Sequence, residues 1–162
     1  MEEDFRSAAQ RRNAIVELAI KETGIDEAMI ERLIREFYAR IRKDALLGPV
    51  FKTRIADWES HLQTMFAFWS SLTLHSGRYH GQPMPKHTRL PVDAAHFDRW
   101  VALFETTARD LCPPVAAERF IERAHRIAEG FELGVASYNG VMLQRGERFR
   151  RAPSSSRRRG PR

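Results

Sequence analysis

At 162 residues with a single cysteine, the chain is long enough to bury the core of one domain and cannot form an internal disulfide. Its formal charge of +6 misleads: the stretch from Arg145 onward holds eight arginines and one glutamate, a net +7, which leaves the first 144 residues at −1. A near-neutral body argues against a nucleic-acid-binding domain, which needs its basic residues on the fold itself. No apolar run reaches the length of a membrane span.

The opening Met1-Glu2-Glu3-Asp4 is acidic and lacks the charged-then-apolar order of a secretory signal, so a cytoplasmic protein is expected. Strand signals are nearly absent and helical spacing dominates, which predicts an all-α fold. Residues 2–22 read as a polar leading helix with a thin stripe of Ile15, Leu18 and Ala19, weakly packed, within an extension covering 1–25. Asp26 is placed to cap the next helix, where Ile30, Leu33, Ile34, Phe37 and Ile41 recur at three- and four-residue steps and Tyr38 flanks the stripe. Gly48-Pro49 breaks the chain, with Phe51 in a short connection.

Asp57 can cap a helix that sets Trp58, His61, Met65, Phe68, Trp69 and Leu72 on one face, so His61 points inward. A glycine- and proline-broken loop from Gly77 ends at His87. Leu90-Pro91-Val92-Asp93 reads as a helix start, with Phe97, Trp100, Val101, Phe104 and Ala108 along the helix as far as Leu111-Cys112-Pro113-Pro114. A last helix runs from about Val115 to Tyr138, with Phe120, Ala124, Ile127, Phe131 and Val135 inward. The domain is thus drawn at 26–139, and the Arg-, Ser- and Pro-rich residues 140–162 are expected to be disordered.

Two imidazoles carry the chemistry. His61 and His87 stand 26 positions apart with Met65, Phe66, Phe68, Trp69 and Leu72 between them, an arrangement suited to a flat, apolar, metal-bearing ligand. The Tyr38 hydroxyl and the Trp100 indole N–H add polar groups that need partners when buried. His75, His80, His96 and His125 read as surface or loop residues without a task, and Cys112 as an inert, partly buried thiol.

Phe37-Tyr38, Leu47-Gly48-Pro49-Val50-Phe51, His61, Phe68-Trp69, the string from Tyr79-His80-Gly81-Gln82-Pro83-Met84 to His87, Leu90-Pro91 and Phe97-x-x-Trp100 together resemble a group III truncated haemoglobin over roughly residues 30–136. The resemblance implies a two-over-two helical sandwich, a shortened globin, around non-covalent haem b. By position it makes His87 the proximal iron ligand, Tyr38, His61 and Trp100 the distal polar residues, and Phe51, Leu62, Met65, Phe68 and Trp69 pocket walls. Arg78, Tyr79, Lys86 and Arg89 fall where haem propionates need cations or donors. Dioxygen, nitric oxide or carbon monoxide would be the ligands. Nitric oxide dioxygenation or peroxide chemistry would draw on an external electron donor, since no flavin or nicotinamide fingerprint occurs. A gas carrier or sensor without turnover is the second reading. A haem-free helical module gripping nucleic acid with its tail is the third.

Overall fold

The computed structural model describes residues 7–152, which contain seven helices and no strand. They are α1 (Ala8–Thr23), α2 (Glu27–Lys43), α3 (Gly48–Arg54), α4 (Trp58–Leu74), α5 (Pro83–His87), α6 (Ala94–Leu111) and α7 (Pro114–Tyr138). The expected helix starts are found where aspartates can accept the free amide hydrogens of a first turn. Asp26 accepts from Met29 N–H at 2.8 Å, Asp57 from Ser60 N–H at 3.1 Å and Asp93 from Ala95 N–H at 3.1 Å.

Two helix pairs make the body. Helix α2 lies against α4, α6 against α7, and the pairs meet where α2 crosses α6 and α4 meets α7. The main core fills that junction with Ile30, Leu33, Ile34, Phe37 and Ile41 from α2 and with Trp69, Phe104 and Phe120 from the other three helices. Trp69 stacks on Phe104 at 4.8 Å, Trp100 stacks on the same ring at 5.7 Å, and Phe37 presents its edge to both Phe104 and Trp100. Each such pair contributes about 0.5–1.5 kcal/mol beyond the area it buries. No helix among the described residues is long and apolar enough to cross a membrane.

Four expectations need correction. Phe51 lies in helix α3 rather than in a connection, and the turn into α3 is tight enough that a Cβ on Gly48 would sit 2.9 Å from the Arg42 carbonyl oxygen. His87 ends a five-residue helix rather than a loop. In α1 only Ala19 of the expected stripe is buried; Ile15 and Leu18 are exposed, and the part of the leading helix expected before Ser7 lies outside the described residues. Finally, residues 141–152 form no helix but dock on α6 and α7, because Phe149 enters a second apolar cluster with Val92, Val135 and Ala136. The disorder expected for 153–162 falls outside the described residues.

Candidate functional site

Between α2–α3, α4, α5, α6 and α7 lies an apolar cavity with about 840 Å³ of free space, its open mouth included. Helix α2 supplies Tyr38, α3 Phe51, α4 His61, Met65 and Phe68, α5 His87, and α6 Trp100. Seven of the residues singled out in the sequence therefore converge on one space.

His87 is held on two sides. Its Nδ1 lies 2.6 Å from the Pro83 carbonyl oxygen, which can only accept, so Nδ1 carries the proton and Nε2 keeps a free lone pair. Its ring stacks on Phe131 at 4.2 Å and 16°. Helix α5 itself is seated by a close approach: a methyl group on Gly134 would collide with the Met84 sulfur. Burial lowers the His87 pKa and the Lys86 charge lowers it further, while the Pro83 bond offsets part of the fall.

His61 is the opposite case. Its Nε2 is buried without a hydrogen-bond partner among the described residues. Such an orphan costs about 1–3 kcal/mol and marks a position built for something other than stability. Burial first, then the charges of His87 and Lys86, lower its pKa, so the ring stays neutral. The Tyr38 ring meets it edge-on at 5.0 Å and 88°. Tyr38 is buried, which pushes its phenol well above the usual range and keeps the O–H protonated. The adjoining turn is fixed by Asp44, which accepts from Leu46 N–H at 3.1 Å, Leu47 N–H at 3.0 Å and Arg99 Nε at 2.7 Å; Leu47 lines the cavity.

A family model described as bacterial-like globin matches residues 21–130. The chain is 32% identical over 121 residues to the group 3 truncated hemoglobin ctb of Campylobacter jejuni, a match covering 72% of this chain and 95% of that protein. The crystal structure of group III truncated hemoglobin from Campylobacter jejuni superposes with a TM-score of 0.63 at 30% identity, covering 76% of this chain and 95% of the other. The chain belongs to the bacterial-like globins, in their group III truncated branch.

A globin binds haem, and the cavity of this one fits that group. Its walls are apolar, one imidazole offers an unprotonated nitrogen, and another nitrogen has no partner. Six of the residues expected at the haem do not line this cavity. Trp69 is packed in the core against Phe104 and Phe120 rather than on the cavity, and Leu62 packs against the same core. Tyr79 backs the wall, edge-on to Phe68 at 5.1 Å, with its N–H on Ser71 Oγ at 2.9 Å. Arg78 pairs with Glu27 at 2.6 Å, Arg89 lies over the Tyr138 ring at 5.7 Å, and Lys86 is exposed beside the site.

Sequence reasoning missed two contributors. His96, given no task, lines the cavity and accepts the Asp93 N–H on Nδ1 at 3.2 Å. Its place three residues after a capping aspartate was the available signal. Phe131 was placed inward on α7, but helical spacing reveals a face and not the ring it will meet.

Proposed function

We propose that this globin holds haem b non-covalently with His87 as the iron ligand, and that Tyr38, His61 and Trp100 form a polar pocket for dioxygen, nitric oxide and carbon monoxide. When bound, the haem would supply an iron able to take both an imidazole and a small gas. His87 presents Nε2 with its rotation fixed, through the Pro83 bond and the Phe131 stack. Tyr38 keeps its proton at any physiological pH and so serves as a donor. His61 contributes a neutral ring whose Nε2 is free to make a new bond. Trp100 borders the same space.

A donor facing a ligand of developing negative charge contributes about 1.5–3 kcal/mol. At about 1.4 kcal/mol per decade, one such bond slows ligand escape by roughly 10- to 150-fold. Three potential donors hold dioxygen more firmly than delivery requires. This favours turnover, nitric oxide dioxygenation or peroxide reduction, with electrons from a separate reductase. The observation carrying the proposal is the pair of imidazoles on one cavity, one tied at Nδ1 and the other orphaned at Nε2.

The test is an absorbance titration of the chain with haem, ferric and then reduced under carbon monoxide. A bound-haem spectrum lost or altered in His87→Ala supports the assignment; a colourless chain, or a variant spectrum identical to the parent, refutes it. Nitric oxide added to the oxygenated protein, with an external electron donor present to re-reduce ferric iron, then separates turnover from carriage. Many equivalents of nitrate per haem mark a dioxygenase, and a single equivalent that leaves the protein ferric leaves the carrier or sensor.

A further inference from the structure

We infer that residues 141–152 are a working wall of the haem pocket, in which Phe149 and Arg151 are positioning residues for His87. The inference rests on the haem reading above. The matched globin family covers residues 21–130, so this strap lies beyond it.

The segment Leu90–Asp93 begins three residues after His87 and is joined to it by the Leu90 N–H on the His87 carbonyl at 3.1 Å. Leu90 and Val92 face the cavity. Pro91 donates no hydrogen bond and only the Val92 N–H bonds back within the segment, so its backbone needs outside partners. The strap supplies them. Arg151 donates to the Leu90 carbonyl at 3.0 Å and to the Val92 carbonyl at 3.1 Å, and its N–H reaches the Asp93 carboxylate at 3.1 Å. The Phe149 carbonyl accepts the Ala94 N–H at 2.7 Å. Four bonds thus clasp the wall from behind.

Packing repeats the pattern. Phe149 is buried against Val92, Val135 and Ala136, while Val50, Leu90 and Phe97 touch both that cluster and the cavity. The wall is one side chain thick, with the strap on one face and the ligand space on the other. The strap has its own anchor: Arg148 forks onto Glu132, a buried carboxylate, at 2.8–3.0 Å and reaches Asp98 at 2.7 Å. Composition shows an arginine-rich tail, whereas three of its residues act here as fitted parts.

Two arms test this with the full chain. In the haem-free protein, hydrogen exchange of the peptide spanning residues 88–95 is compared between wild type, Arg151→Gln and Phe149→Ala. Loss of the clasp predicts about ten-fold faster exchange there, the size expected for a lost hydrogen bond, with residues 104–108 unchanged. In the haem-loaded protein, release of haem to an excess of a competing apoglobin accelerates several-fold and the iron–histidine Raman line shifts or broadens. A control substitution in the main core, Ile30→Val, is chosen to match the loss of melting temperature. Should the control move haem release and the Raman line equally, or should both variants leave them unchanged, the positioning role is overturned. Unchanged exchange at 88–95 overturns the clasp itself, and Arg151→Gln keeps that arm decisive if Phe149→Ala fails to fold. A wild-type chain that takes up no haem refutes the functional reading instead, and the clasp is then judged on exchange alone.

Discussion

His61→Leu turns the cavity's contradiction into a measurement, because the two roles of this residue predict changes of opposite sign. In the haem-free protein the substitution removes an Nε2 that is buried without a partner. Relief of such an orphan is worth about 1–3 kcal/mol. The side chain is only partly buried, so the lower half of that range applies. Leucine adds a little apolar burial in a site already lined by Met65, Phe68 and Phe51. The net expectation is a gain of about 1–2 kcal/mol, which for a chain of this length raises the melting temperature by about 2–8 °C. Thermal and urea melts of the haem-free variant at pH 7.5, where the imidazole is neutral, read this directly. The haem-loaded, reduced variant should release dioxygen faster, since leucine has no donor to replace the imidazole. A haem-free melt that stays put or falls would refute the reasoning, for it would mean that the orphaned nitrogen was satisfied and costs nothing.

Acidification provides an independent check. Burial and the nearby Lys86 charge hold both His61 and His87 below the ordinary histidine range, so the unfolded chain takes those protons more readily than the folded one. The urea midpoint of the haem-free protein should therefore fall as pH drops from 7.5 through the ordinary histidine range, and fall less in His61→Leu; a rise on acidification contradicts the assignment. Tyr38→Phe should speed dioxygen release by about ten-fold or more, by loss of one charge-assisted bond, as measured by stopped-flow; an unaltered rate assigns the retention to another donor. In Asp44, burial raises the pKa, but the Leu47, Arg99 and Leu46 bonds outweigh it and the net shift is downward. The stability it supplies is fully present above the ordinary carboxylate range and is lost as pH falls below that range through the lowered folded-state pKa. Asp44→Asn should cost about 1–2 kcal/mol at pH 7 and progressively less as the pH falls below the ordinary carboxylate range; a loss that does not shrink on acidification would rule out the charge as the cause.

The long helices were legible because their apolar stripes persist over four or more turns and three of them open on a capping aspartate. Helices α3 and α5 were not, since seven and five residues are too few to display a period and each opens with proline near its first position. Hence Phe51 and His87 read as connection and loop while their importance was still visible from the residue string around them. Tyr38, His61, Met65, Phe68 and Trp100 line the cavity, whereas Trp69 packs in the core on Phe104, a partner thirty-five positions along the chain that only the fold brings near. The strap escaped notice for a different reason. An arginine's value depends on its acceptor, and neither the buried Glu132 nor the carbonyls of Leu90 and Val92 announce themselves in composition.

The two histidines make a vice with one hard jaw and one soft jaw. With a carbonyl on one edge and a phenyl ring flat against its face, the imidazole of residue 87 cannot turn; it travels only if the whole short helix slides along α7. Residue 61 meets two aromatic rings at right angles and has no hydrogen bond at its tip among the described residues. Adaptation to guests of differing shape therefore belongs to one side of the chamber, while the other transmits any push straight into the longest helix of the molecule.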